Sequence, residues 1–216
     1  YIDAAMASPW RKQLRRRERR LQERGKVQLV ALSPGDDPRR WIDDFLRLEA
    51  SGWKGRLGTA LACSEGNRRF AVEALRAAAQ RGRLHMVGVD FDGAPIARCC
   101  NLLAGEASYA FRTAYDEAFA AYSPGLMAEV HSIREFHALP SVAWMDSMTD
   151  PNNELLNRLW KHRRSYQTLL VGTGVWGELW TSTVPLLRWA KRRTRRVPEP
   201  MPAAGKGQSR EPAWLA

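Results

Sequence analysis

Leu84-His85-Met86-Val87-Gly88-Val89-Asp90-Phe91, followed by Asp92-Gly93, is where the apolar period along this chain changes from helical to two-residue spacing. His85, Val87, Val89 and Phe91 alternate with Leu84, Met86 and Gly88, as a half-buried strand requires. Asp-Gly then signals a two-residue hairpin, because both central residues of that turn take positive φ. A second strand is expected from Pro95 to Leu103. Gly105-Glu106 makes another tight turn, and a third run, Ala107 to Tyr115, sets Tyr109, Phe111 and Thr113 on one face. The prediction is a three-stranded antiparallel meander.

Upstream, the spacing is helical. Pro9 opens a helix with Trp10, Leu14 and Leu21 as a thin apolar seam among arginines, ending at Gly25. Val27 to Leu32 is a short β-prone run. Asp37 can cap a helix starting at Pro38, with Trp41, Phe45 and Leu48 on one face and Gly52 as its stop; Ser64 can cap another carrying Ala71, Ala74, Leu75 and Ala78. Downstream, helix and strand alternate. A helix is expected from Gly125 to His137, a strand from Val142 to Met148, a short helix from Glu154 to Lys161 and a strand from Tyr166 to Gly172. A last helix runs from Glu178 into a basic tail rich in Pro, Gly and Ala, which reads as disordered.

The 216 residues, 44% hydrophobic and 26% charged, describe a globular chain and exclude disorder as the dominant state. Three cysteines, two of them adjacent at Cys99 and Cys100, form no disulfide framework and no CxxC metal knuckle, which points to a reducing, cytoplasmic setting. The start at Tyr1, without methionine or a signal-peptide core, reads as a fragment of a longer protein. The most apolar long segment, Thr168 to Ala190, holds Glu178, Pro185 and three glycines and is rejected as a membrane span. The four histidines show neither HxxxH nor HExxH spacing, so no metal site is expected.

The net charge of +11 is concentrated at the two ends. Nine basic residues face two acids between Arg11 and Lys26, and Arg188, Lys191, Arg192, Arg193, Arg195 and Arg196 contain no acid among them. Such runs attract phosphate, whether on nucleic acid, an anionic membrane or a nucleotide cofactor; a plain solvated helix face accounts for the same composition.

Between the third strand and the next helix lies Tyr115-Asp116-Glu117-Ala118-Phe119-Ala120-Ala121-Tyr122-Ser123-Pro124-Gly125-Leu126-Met127. A helix opening at Ser123 leaves its first amides unpaired at the positive end of its dipole, where an anion is favoured. Ser123 offers a hydroxyl, Gly125 a close backbone approach. Ser-Pro-Gly also opens helices as a plain cap, and the residues alone leave both readings open.

The element order resembles the GNAT acyltransferase fold, an α+β architecture with a central mixed, largely antiparallel sheet flanked by helices. Four phrases carry a closer likeness: Arg15-Arg16-Arg17-Glu18-Arg19-Arg20-Leu21, Leu48-Glu49-Ala50-Ser51-Gly52-Trp53-Lys54-Gly55, Tyr115-Asp116 and Tyr122-Ser123-Pro124-Gly125. They resemble the GNAT-like branch associated with cellulose and exopolysaccharide biosynthesis (CelD/BcsL-like), distantly related to the FemAB proteins. The likeness covers roughly Arg11 to Gly172. It implies a basic helical segment over 1–26, a GNAT-like domain over 27–190 and a tail over 191–216. The usual glutamine/arginine-xx-glycine-x-glycine phosphate loop is reduced here to the single glycine of Ser-Pro-Gly.

The resemblance further implies an acyl-CoA co-substrate, acetyl-CoA or another, with no metal. Its pantetheine arm would lie between strands Ala107 to Tyr115 and Val142 to Met148, and its phosphates at Ser123, Gly125, Leu126 and Met127. An amine or hydroxyl, on a small molecule or saccharide, would attack the thioester while a base removes its proton. Asp116 and Asp146, each at a strand end facing the cleft mouth, are the base candidates; Tyr115 or Tyr122 would return a proton to the leaving thiolate. Trp53 and Lys54 are candidates for lining the acceptor pocket. Each has a plainer reading: turn caps for the two aspartates, and packing for Trp53 with the lysine stem over it. Two other functions compete with the acyltransferase: a basic module holding nucleic acid or an anionic membrane, and a GNAT scaffold without catalysis. The central region resembles no nucleic-acid fold, so no stable nucleic-acid complex is expected, while the basic ends allow peripheral contact with an anionic membrane.

Overall fold

A computed structural model describes residues 1–150, 153–166 and 169–194. Two compact units divide it, the first spanning residues 1–161. In that unit, a short helix α1 (Ile2–Ala5) precedes the basic helix α2 (Ser8–Gln22), strand β1 (Val27–Ala31), helix α3 (Pro38–Ser51), a single turn α4 (Trp53–Arg56) and helix α5 (Glu65–Gln80). The meander follows as β2 (Leu84–Phe91), β3 (Ala94–Ala104) and β4 (Ala107–Tyr115). A 3-10 turn over Glu117–Tyr122 leads into helix α6 (Pro124–Phe136), strand β5 (Trp144–Asp146) and helix α7 (Glu154–Leu159).

The two hairpins form where the sequence signals them. Asp92 and Gly93 both have positive φ, at 49° and 80°, and join Phe91 to Ala94. The sheet order is β1-β2-β3-β4-β5, with β1 to β4 antiparallel and β5 parallel to β4, so the β-prone run at Val27 adds a fourth strand to the meander. The sheet is mixed and helices flank it, an α+β fold.

Alternation along the strands sorts side chains to two faces. On one, Ile42, Phe45 and Leu48 of α3 and Leu75 of α5 pack on Met86, Cys100 and Ala114. On the other, Leu21 of α2 and Met127 and Ala128 of α6 pack on Val87, Val89, Ala97 and Cys99. Each fully buried Leu or Phe contributes about 1.5–3 kcal/mol. Gly88 has a specific purpose: a Cβ there would stand 2.3 Å from Arg98 Nη1. The bare α-carbon lets the buried Arg98 guanidinium bond Asp90 at 2.6 Å, reach Asp44 of α3 at 3.3 Å and stack 4.6 Å from the Trp41 ring centroid.

Two expectations are corrected. The strand expected over Val142–Met148 shrinks to Trp144–Asp146, because the Asp146 carboxylate accepts the Met148 N–H at 2.7 Å and Met148 turns to φ 47°. That Asx turn carries the chain off the sheet. No strand forms among the described residues of 166–172 (positions 167 and 168 lie outside them). Leu169 and Val171 are about four-fifths exposed there, and β-prone side chains without a neighbouring strand gain nothing from extended pairing. The second unit contains helix α8 (Gly174–Thr194), which starts earlier than expected and contains Pro185. The tail expected beyond 191 lies outside the described residues from position 195 onward. Among the described residues, no helix is long and apolar enough to cross a membrane.

Candidate active site

One hydrogen bond sets the phase of β4 from Arg112 to its end. Asp116 N–H donates to the Ile96 carbonyl at 2.8 Å, so Ile96 and Asp116 form a hydrogen-bonded pair. Bonded and non-bonded pairs alternate along an antiparallel ladder. Cys99–Thr113 and Ala97–Tyr115 are therefore non-bonded pairs, and the N–H and C=O groups of Thr113 and Tyr115 point away from β3. On that outer side β5 pairs only with Ala107, Ser108 and Tyr109. Beyond them a bulge between the Cys100 and Asn101 pairings inserts Phe111, and no strand among the described residues covers Ala110–Tyr115. Among the described residues, the edge of β4 pairs with no strand along its second half.

At the end of that edge stands the N-terminus of α6. Ser123 is left-handed, with φ 57° and ψ 51°, and its hydroxyl makes no cap bond to the helix; Pro124 occupies the first helical position. Arg17 of α2 and Arg24, in the turn just past the end of α2, reach this corner. Arg17 Nη1 donates to Ser123 Oγ at 2.6 Å, and Arg24 Nη1 donates to the Tyr122 hydroxyl at 2.8 Å with its guanidinium 5.9 Å from that ring's centroid. Part of the basic helix therefore adds positive charge where helix geometry already favours an anion. Only Arg17 lies within the helix; Arg24 follows its C-cap at Glu23, so helical spacing alone does not place the two together.

Gly125 is needed for packing as well as for openness, since a Cβ there would meet Tyr115 Cδ1 at 3.0 Å. Burial, helped by Glu117, holds the Tyr115 phenol above its ordinary pKa. Leu126 packs beside Val130 and Ile133, and Met127 is buried in the core under Leu21. Of the four residues expected to hold phosphates, Ser123 and Gly125 lie at the helix opening, and the side chains of Leu126 and Met127 belong to the core.

The two aspartates separate. Asp116 caps the 3-10 turn by accepting the Ala118 N–H at 2.9 Å, and Asp146 forms the Asx turn described above. Asp146 sits opposite Tyr109, seven residues before Asp116. At about 3.3 Å per residue they lie about 23 Å apart along the sheet. They do not share one cleft mouth, and a single acyl carbonyl cannot be within reach of both.

Trp53 and Lys54 do reach the open edge, through contacts that the sequence does not announce. Glu117 accepts the Trp53 N–H at 2.7 Å and grips Arg56 at 2.7 and 3.1 Å, which fastens the α4 turn to the end of β4. Lys54 Nζ donates to the outward Thr113 carbonyl at 3.2 Å and lies 3.3 Å from Glu49 Oε1. Glu49, with its side chain fully buried, also accepts from Arg112 Nη1 at 2.6 Å and from Leu61 N–H at 2.8 Å. Burial pulls the Lys54 amine below its ordinary pKa and the Arg112 charge adds to this, while Glu49 opposes both. Under the other face of β4, Thr113 Oγ1 donates to the buried Glu129 carboxyl, which burial holds above the ordinary carboxylate range. Glu49, Arg112 and Glu117 were not read from the sequence. Each acts across 61 to 64 residues of chain, where no local spacing links them.

Among the described residues no three His, Cys, Asp or Glu side chains gather as metal ligands. Cys99 and Cys100 are fully buried, and burial raises both thiols, Cys100 to about 12.

A search of curated protein sequences finds no match. Among solved structures, the ribosomal-protein-alanine N-acetyltransferase of Brucella melitensis biovar Abortus 2308 is 11% identical, with a TM-score of 0.45 over 69% of this chain and 100% of that one. A possible acetyltransferase of Clostridium difficile 630 is 10% identical, with a TM-score of 0.47 over 67% and 98%. The aminoglycoside acetyltransferase meta-AAC0020 from an uncultured soil metagenomic sample, solved with sisomicin, is 9% identical, with a TM-score of 0.47 over 69% and 96%. The family described as Acetyltransferase (GNAT) domain matches residues 9–162. Because that match takes in all five strands and α6, and more than half of the chain, the protein belongs to the GNAT acetyltransferase family.

Proposed function

We propose that this chain transfers an acetyl or other acyl group from acyl-CoA to an amine or hydroxyl, with its pantetheine arm along the open half of β4 and its phosphates at the start of α6. The observation that carries the reading is the meeting of three features in one corner: outward backbone groups at Thr113 and Tyr115, the left-handed Ser123 opening α6, and the guanidinium groups of Arg17 and Arg24. Free strand amides can pair with the amides of an extended arm, and a helix N-terminus with two arginines suits phosphate. The acyl-CoA supplies an activated thioester; the chain's own groups orient it and exclude water. Tyr115 and Tyr122 stand nearest the phosphate corner, and Asp116, one residue beyond the edge, is the better placed of the two base candidates.

The acceptor side of this reading is the wall made by Trp53, Lys54 and the Glu49–Arg112 pair. Trp53 is half exposed beside Glu117, and an aromatic face next to a carboxylate suits a polyhydroxylated acceptor, consistent with a sugar or a precursor of polysaccharide or cell-envelope material. Isothermal titration with acetyl-CoA and free CoA tests the proposal: saturable binding that survives moderate salt is expected. Absence of binding by folded protein, with salt-sensitive binding to unrelated duplex DNA instead, would overturn it in favour of a basic binding module.

A further inference from the structure

Glu49 is a fully buried carboxylate facing two cations, Arg112 at 2.6 Å and Lys54 at 3.3 Å. The nearer and geometrically stronger partner balances its charge. One positive charge is left over, and it falls on Lys54. Its side chain is four-fifths buried, and the amine holds the outward carbonyl of Thr113 on the edge of β4 that no strand among the described residues covers. Its four-carbon stem is flexible, so Nζ can move along the edge without backbone change.

We propose that Lys54 is a self-acylation site: with acyl-CoA in the groove, its amine takes the acyl group and becomes an N-acyl lysine. This rests on the acyl-CoA reading above and extends it to a covalent modification of the chain itself. In the step, neutral Nζ attacks the thioester carbonyl carbon. A C–N bond forms, the C–S bond breaks, and the proton lost from nitrogen goes to the leaving sulfur, giving an amide and free thiol with no other reactant. Burial, the largest influence, favours the neutral amine that this attack requires; the Arg112 charge adds to it and Glu49 opposes it, with the net shift downward.

The product is better matched to its surroundings than the starting ammonium. Acylation removes the surplus charge and leaves Glu49 paired one to one with Arg112, while the remaining amide N–H can still donate to Thr113. An isolated buried charge is costly, and a neutral amide in the same place is not. The other lysines with described side chains, Lys12, Lys26 and Lys161, are exposed and lack this arrangement.

The test is incubation of the full chain with acetyl-CoA, digestion at acidic residues, and peptide mass spectrometry, with titration of CoA binding on the same preparation. Lys54 is expected to acquire one acetyl group at least about tenfold faster than Lys12, Lys26 or Lys161, through the proximity of bound thioester. Excess free CoA should suppress that labelling, and Lys54→Arg should remove it from the peptide while keeping the charge beside Glu49. If CoA binds but Lys54 is labelled no faster than the exposed lysines, or if free CoA gives no protection, self-acylation is wrong and the acyl-CoA reading stands. If the folded chain binds neither CoA nor acetyl-CoA, the reading itself fails and self-acylation fails with it.

Discussion

Arg17→Ala separates a phosphate-binding corner from a decorative basic helix. Arg17 Nη1 lies 2.6 Å from Ser123 Oγ, at the mouth of α6, and is partly buried there. A hydrogen bond from a charged donor is worth about 1.5–3 kcal/mol, and the partial exposure of this site argues for the lower end, about 1.5 kcal/mol. Each 1.4 kcal/mol is tenfold, so the variant should bind free CoA about tenfold more weakly at low ionic strength. Raising the salt shortens the Debye length from about 10 Å at 0.1 M to about 3 Å at 1 M, so the gap should narrow. Arg24→Ala, whose guanidinium is exposed over Tyr122, should cost less and be more salt-sensitive. The assay is isothermal titration with CoA and, in parallel, with pantetheine, which lacks the phosphates. Pantetheine affinity should be unchanged in both variants. The reasoning is refuted if Arg17→Ala leaves CoA affinity within about twofold of wild type, or if pantetheine loses affinity by the same factor as CoA.

Three further outcomes follow from burial and pairing. Leu21→Ala, in a fully buried position that anchors α2 to the sheet, should lower stability by about 2–5 kcal/mol in denaturant titration. Glu49→Ala strips Arg112, Lys54 and the Leu61 N–H of their shared acceptor; the two cations are partly exposed, so the loss should be about 3 kcal/mol, read as a drop in Tm. Glu129 has a raised pKa in the folded chain. Its stabilising contribution is therefore full below the ordinary carboxylate pKa and is lost as pH rises through the raised value. Glu129→Gln, which can still accept from Thr113 Oγ1, should flatten the fall in Tm as pH rises above the ordinary carboxylate range; an unchanged pH profile would show that Glu129 ionises freely.

The meander, the helices from Pro38 and Ser64 and the helix opening at Ser123 were legible because their causes are local. Asp92-Gly93 fits a turn with two positive φ values, Ser64 accepts the Asn67 N–H at 3.2 Å, and Pro124 starts α6, each within a few residues of chain. Apolar spacing likewise marked the buried face of α3, and in α5 the buried Ala71 and Leu75, although Ala74, expected on the same face, is exposed. Tyr166 to Gly172 marks the limit of such reasoning, since β-propensity alone makes no strand among the described residues there.

Local chemistry was enough for the meander, the main helices through α6 and where α6 opens, but not for the strand expected at Tyr166 to Gly172. The tertiary structure alone decided the chemistry around them. It parted β5 from β4 after three residue pairs, set Asp146 of β5 opposite Tyr109 and Asp116 just past the far end of β4, and brought Arg17 and Arg24 to Ser123 and Tyr122. It also placed Glu49 between Lys54 and Arg112. The physical reason is range. Propensity, capping and periodicity act over a few residues. A charge or hydrogen-bond partner is chosen by distance in space, and residues 60 to 100 positions apart become neighbours only when the sheet has formed and both its faces are packed.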